Sequence, residues 1–177
     1  MRRYALLDRD GTLVRDTGHP HRPEDYELLP GVPAALRRLA DAGWRLAIVT
    51  NQSGIGRGLF GWDAFDRFQA LLYADLAAAG VAIDATFVCP HAPAEGCVCR
   101  KPEPGLLYRA RDVLGASLAE SWVIGNSDRD VGAARRAGCR GALRVGVAAP
   151  RASADPFAQE CADLPAAVDR LLRYGTP

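Results

Sequence analysis

The segment Leu7-Asp8-Arg9-Asp10-Gly11-Thr12-Leu13 sets two carboxylates two residues apart, directly behind a short apolar run. In extended backbone, residues i and i+2 point the same way. Two carboxylates on one side repel each other unless a cation neutralises them. Mg²⁺ is a hard ion that takes oxygen ligands and keeps several waters. Such a pair suits phosphoryl transfer, in which one carboxylate attacks phosphorus and the other moves protons. The plainer reading is a solvated Asp-Gly turn. Three other segments have matching chemistry. Val49-Thr50-Asn51-Gln52-Ser53-Gly54 offers hydroxyls and backbone amides to phosphate oxygens, although such residues more commonly cap a helix. Arg100-Lys101-Pro102 offers a compact cation to a transferring phosphoryl group; alone it reads as surface charge. Ile124-Gly125-Asn126-Ser127-Asp128-Arg129-Asp130 is an acidic loop entering a helix, where Asp130 also suits a helix cap.

Cys89-Pro90-His91 and Cys97-Val98-Cys99 form the pattern Cys-x-His-x5-Cys-x-Cys. Three thiolates and one imidazole are a ligand set for tetrahedral zinc, and four protein ligands mark a structural site. The plainer reading is a chance cluster of free thiols. The loop has little apolar content to hold it, so a metal clip would fix it together with Arg100 and Lys101. Cys139 and Cys161 read as buried thiols. Five cysteines, three of them crowded together, argue for a metal site in a reducing compartment rather than a disulfide framework.

These groups must be carried by regular elements. Apolar runs at 4–7, 45–49, 85–88, 122–124 and 141–147 read as strands. Helical spacing covers 33–42, 63–79, 103–114, 130–137 and 163–174, with Gly43, Gly80 and Gly138 as stops. Residues 148–162 read as an irregular surface loop. Strand and helix in alternation predict an α/β fold: a parallel sheet covered on both faces. Ligands in such sheets sit beyond the carboxyl ends of the strands. Asp8 and Asp10, Thr50 to Ser53, Cys89 and His91, and Asn126 to Asp130 all follow strands, so they are expected to converge on one edge.

The 177 residues predict one domain over residues 1–177. Hydrophobic residues are 49% and charged residues 24%, which excludes disordered and collagen-like classes. Twenty-two basic and 21 acidic residues leave a formal charge of +1, so bulk charge gives no reason to expect nucleic-acid or membrane-surface binding. No apolar run reaches the roughly 18 residues of a membrane span, and the N-terminus lacks the pattern of a secretory signal. The expected location is the cytoplasm and the expected state a monomer.

The order of the four phosphoryl-transfer segments resembles the haloacid dehalogenase (HAD) superfamily of phosphotransferases, over roughly residues 4–147. That resemblance implies a Rossmann-like three-layer fold. It makes Asp8 the nucleophile that forms an aspartyl-phosphate and Asp10 the general acid/base. Thr50 and Asn51 would hold phosphoryl oxygens, and Lys101 would stabilise the nucleophile and the transferring charge. Mg²⁺ would sit on Asp8, Asp10 through its carbonyl, and Asn126, with Asp130 as an alternative ligand. The intervals between the segments leave no room for a large cap domain. The open site would be walled by the zinc loop and residues 16–29.

The zinc loop directly before Arg-Lys-Pro is similar to that of the D-glycero-D-manno-heptose 1,7-bisphosphate 7-phosphatases and of their relatives, the histidinol-phosphate phosphatases. Thr50-Asn51-Gln52-Ser53-Gly54-Ile55, followed by Gly56-Arg57-Gly58, favours the heptose branch. By resemblance, Asn51, Ser53, Arg57 and Arg100 would bind substrate, with Arg forks suited to its second phosphate. Catalytic Mg²⁺ and structural Zn²⁺ on Cys89, His91, Cys97 and Cys99 would be the cofactors. One position departs from the family pattern: Asn126 stands where the family has an aspartate that binds Mg²⁺. An amide oxygen still coordinates, but the site loses a negative charge. Histidinol-phosphate phosphatase and a catalytically weakened phosphosugar-binding homologue are therefore the alternative functions.

Overall fold

The computed structural model describes residues 2–150 and 155–174. Six strands form one sheet: β1 (Tyr4–Leu7), β2 (Arg45–Asn51), β3 (Thr86–Cys89), β4 (Trp122–Gly125), β5 (Gly141–Arg144) and β6 (Ala158–Glu160). Their order is β3-β2-β1-β4-β5-β6, and every pairing is parallel. Among the described residues, six α-helices accompany them: α1 (Val32–Asp41), α2 (Ser53–Gly56), α3 (Trp62–Ala78), α4 (Gly105–Leu114), α5 (Asp128–Ala137) and α6 (Leu164–Tyr174).

Alternation along each strand sends side chains to two separate cores. Ala5, Leu7, Leu46, Ile48 and Ile124 pack with Leu36, Leu39, Phe68, Leu72, Val168 and Leu171 from α1, α3 and α6. Tyr4, Leu6, Ala47, Val49 and Val123 pack with Leu106, Leu107, Ala110, Ala133 and Ala134 from α4 and α5. The result is the expected three-layer α/β architecture. Strand order reverses between β1 and β4. Here the chain leaves β1 and β4 toward helices on opposite faces of the sheet, which opens a crevice beyond the strand ends, although the Asp8 N–H still reaches Ile124 C=O at 2.9 Å.

Several elements differ from the sequence reading. Residues 148–162 contain β6, which pairs along the outside of β5; three residues are too few to show an alternation. Part of that stretch, 151–154, lies outside the described residues. β5 stops at Arg144 rather than 147, because Gly146 takes φ +80° and turns the chain. α4 starts at Gly105 rather than 103, since Pro104 lacks an N–H and restricts the residue before it. α5 begins earlier than expected, at Asp128, with Ser127 as its N-cap. Asp130 is thus its third residue rather than the cap.

Candidate active site

The carboxyl ends of β1, β2 and β4 open into a cleft of about 260 Å³. Asp8, Asp10, Asn51, Ser53, Arg100, Lys101 and Asn126 line it, so residues distant in sequence meet at one sheet edge as expected. Asp16 and His19 form one wall, and Arg129 stands on the rim near Arg100.

Lys101 anchors the floor. Its ammonium, almost fully buried, donates to Asp8 Oδ1 (2.8 Å), Asp130 Oδ1 (2.5 Å) and the Val49 carbonyl (2.7 Å). Burial opposes this charge, but Asp130 and Asp8 outweigh it and hold the lysine pKa above its usual value. Burial pushes Asp8 up to about 7, assisted by Asp130 and Asp10 and resisted by Lys101.

Asp130 reaches this position because α5 starts just behind the cleft. Its other oxygen accepts from the Ser127 N–H (3.1 Å) and hydroxyl (2.7 Å). Both Asp130 oxygens are therefore engaged by protein, which leaves Asp8 and Asn126 as the side chains better placed toward a cation. Gly125 makes room: a Cβ there would lie 2.3 Å from the Asp130 carboxyl carbon. Asp128, by contrast, is exposed.

Asp10 has a different support. Arg9 Nε and Nη2 hold its two oxygens at 2.6 and 3.2 Å, and Gln52 Nε2 donates to Oδ2 at 2.9 Å. Arg9 is fully buried, donates also to the Pro20 carbonyl (3.0 Å), and lies 4.6 Å over the Phe68 ring. Gly11 then turns the chain at φ +76°, a conformation glycine adopts at little cost. A Cβ at Gly11 would fall 2.0 Å from Asn126 Nδ2, so the turn and Asn126 pack directly together.

Some expected contributors sit elsewhere. Thr50 is fully buried, and its hydroxyl accepts from Gln52 Nε2 at 2.9 Å. It does not line the cleft. Arg57 is exposed and outside the cleft lining. Arg9, Gln52, His19 and Arg129 are residues that sequence reasoning passed over. Arg9 and Gln52 lay inside quoted motifs as spacers between residues of more obvious chemistry. His19 shows itself only through backbone: among the described residues it is the non-glycine residue with positive φ, at +70°.

Around the floor, three carboxylates (Asp8, Asp10, Asp130) face two buried cations (Arg9, Lys101). One uncompensated negative charge remains, and a phosphate dianion would add to it. A divalent cation meets that need, and oxygen donors on Asp8 and Asn126 suit a hard ion.

The Cys89, His91, Cys97 and Cys99 donor atoms lie within 4.8 Å of one another. Sulfur–sulfur separations are 3.5 and 3.6 Å, and His91 Nδ1 lies 3.2 Å from Cys99 and 3.6 Å from Cys89. Tetrahedral ligands about 2.0–2.3 Å from zinc would be separated by roughly 3.3–3.8 Å, so the cluster is preformed for such an ion. Burial raises Cys89, whereas backbone N–H groups of Cys99 and Arg100 overcome burial at Cys97 and bring it to about 7.

Comparison with known proteins agrees with this geometry. A family model described as polynucleotide kinase 3 phosphatase matches residues 3–129, and one described as HAD-hydrolase-like matches residues 98–163. The chain is 38% identical over 175 residues to the D-glycero-beta-D-manno-heptose-1,7-bisphosphate 7-phosphatase of Yersinia pestis, covering 92% of this chain and 93% of that protein. A Thermoplasma acidophilum protein named as a probable enzyme of the same type is 42% identical over 70% of this chain and 78% of its own. The D,D-heptose 1,7-bisphosphate phosphatase of B. bronchiseptica, solved with magnesium and phosphate, superposes with TM-score 0.87 at 34% identity, over 97% of this chain and 99% of that one. With the triad of Asp8, Lys101 and Asp130 at the switch point and these likenesses across nearly its whole length, the chain belongs to the HAD-type phosphatases, in the family of the heptose 1,7-bisphosphate 7-phosphatases.

Proposed function

We propose that the protein removes the 7-phosphate of D-glycero-D-manno-heptose 1,7-bisphosphate, with Mg²⁺ in the cleft and Zn²⁺ in the Cys/His loop. The observation that carries this reading is Asp8 and Asp10 in one cleft, with Lys101 on Asp8 and two arginines on the rim. Asp8 engages Lys101 through Oδ1, which leaves Oδ2 to attack phosphorus. The bond to the sugar oxygen breaks, and Asp10 supplies the proton that oxygen needs. Asp10 then takes a proton from water, which hydrolyses the aspartyl-phosphate and releases inorganic phosphate. Ser53 and backbone amides after β2 receive the phosphoryl oxygens, while Lys101, whose three N–H groups go to Asp8, Asp130 and the Val49 carbonyl, offsets their charge from beneath Asp8. Arg9 and Gln52 hold the Asp10 side chain in place through both proton transfers. Asp8, Asn126 and the Asp10 carbonyl would hold Mg²⁺, which supplies positive charge against the phosphoryl oxygens when bound.

Arg100 and Arg129 line both this cleft and an adjoining one of about 320 Å³. They would meet the phosphate that is not cleaved. Arg100→Ala and Arg129→Ala are each expected to raise KM for the bisphosphate about 10–100-fold, the worth of a charged hydrogen bond. KM for a monophosphate should move far less. A near-neutral chain with two rim arginines supports a small phosphosugar over a nucleic acid. Five unpaired cysteines with a thiolate metal set support a cytoplasmic, reducing location.

The test is phosphate release from the heptose bisphosphate, set against histidinol phosphate, with Mg²⁺ titrated. Asn126→Asp adds the missing charge. It is expected to lower the half-saturating Mg²⁺ concentration on the order of tenfold, since ligand charge tunes affinity. Faster turnover of histidinol phosphate would reassign the substrate. Asn126 is also the observation behind a second reading, a phosphosugar-binding homologue. Tight binding without release, even in Asn126→Asp, would favour it.

A further inference from the structure

Asn51 was expected to contact phosphoryl oxygens, yet its side chain is engaged by protein on both sides. Asn51 Oδ1 accepts from the Lys101 N–H at 3.0 Å, and Asn51 Nδ2 donates to the Lys101 carbonyl at 3.1 Å. Peptide chemistry fixes this orientation: an N–H can only donate and a carbonyl only accept. The same residue stands opposite Cys89 in the register of β2 and β3. The metal loop therefore leaves the sheet at Asn51's neighbour Cys89 and returns at Asn51's hydrogen-bond partner Lys101. Beside it, the Gln52 N–H donates to Cys89 C=O and the Gly56 N–H to Pro90 C=O, both at 2.8 Å.

We propose that Asn51 is a positioning residue that closes the neck of the metal loop, coupling metal occupancy of the Cys89, His91, Cys97 and Cys99 cluster to the placement of the Lys101 ammonium. The physical basis is shared closure entropy. A metal ion closes the loop in its middle, and the Asn51 amide closes it at the base. Either closure lowers the entropic cost of the other. Cys99 lies two residues before Lys101, so fixing its sulfur confines the Lys101 backbone to within about 7 Å of the Cys99 Cα. Coupling of this kind is reciprocal: if bound metal steadies Lys101, the clasp must steady bound metal. The role assigned to Lys101 rests on the phosphatase reading above; the coupling to metal does not.

The experiment measures zinc release from the zinc-loaded protein into excess chromogenic chelator, without substrate, for the parent, Asn51→Ala, Asn51→Asp and Ser53→Ala. Two lost hydrogen bonds should speed release about tenfold in Asn51→Ala. Asn51→Asp keeps the acceptor for the Lys101 N–H and should fall between the two. Ser53→Ala should match the parent. Turnover gives a second reading. Stripping zinc should cost the parent far more kcat than it costs Asn51→Ala, whose link is already cut. Parent-like zinc release from Asn51→Ala would overturn the proposal, as would equal acceleration in Ser53→Ala. If Asn51→Ala does not fold, Asn51→Asp decides on the same criterion. Because release is read without substrate, a wrong phosphatase assignment would leave this result standing.

Discussion

Asp8→Asn is expected to cut turnover by about 10⁴–10⁶-fold, the range for deleting a covalent nucleophile. The amide cannot attack phosphorus, and water has no carboxylate to replace it. The same substitution should stabilise the metal-free protein at alkaline pH. Asp8, Lys101 and Asp130 form a buried group with net charge −1. Asp8→Asn brings that charge to zero and leaves Lys101 on Asp130. The sign follows from the raised Asp8 pKa, about 7 against 3.8. A carboxyl harder to ionise when folded favours folding below pH 4, and that advantage is lost as pH rises to 7. The variant should therefore melt above the metal-free parent at pH 8, and the gap should close between pH 7 and pH 4. Adding Mg²⁺ should raise the parent's melting temperature and leave the variant's nearly unchanged. An active Asp8→Asn protein would remove Asp8 as nucleophile; equal melting at pH 8 would remove the buried charge imbalance.

The sheet and most of its helices were legible because strand and helix periods alternate cleanly from Tyr4 to Arg144, with glycines marking the stops. Convergence of Asp8, Asn51 and Asn126 followed from topology, since each lies at or just past a strand end; Lys101 comes from the far side of the metal loop, well beyond the end of β3 at Cys89. The clustering of Cys89, His91, Cys97 and Cys99 was legible from spacing. What the sequence concealed was how side chains divide the labour. Thr50 and Asn51 present phosphate-binding chemistry by type, but in three dimensions Gln52 holds the Thr50 hydroxyl and Lys101 engages Asn51. Arg57 looked like a rim cation, yet it lies outside the cleft, and Arg129, written as a spacer in an acidic loop, takes that place. β6 was hidden because it is three residues long and lacks an apolar run. Local pattern reports burial and period; it does not report which polar atoms find each other across 50 residues of chain.

Lys101→Met separates the two tasks of the floor. Methionine matches the length of the lysine stem and removes the ammonium, leaving Asp130, 2% exposed, without its cation and facing Asp8. Breaking a buried pair from one side costs about 3–5 kcal/mol, so the melting temperature should fall by roughly 10 °C for a chain of this size. Turnover should fall about 10²–10³-fold or more, since a preorganised cation aimed at the transferring charge is lost. Adding Asp130→Asn removes the orphaned charge, and Asn still accepts from the Ser127 hydroxyl. The double variant should recover most of the lost stability and none of the lost activity. If stability and activity return together, Lys101 serves only to neutralise Asp130. If neither single variant nor double variant melts below the parent, the buried carboxylates are solvated and the Asp8–Lys101–Asp130 triad does not hold the floor. Recovered stability with persistent inactivity assigns the ammonium to the reaction itself, where its 2.8 Å hydrogen bond holds Asp8 and its charge lies beside the phosphoryl group that Asp8 would attack.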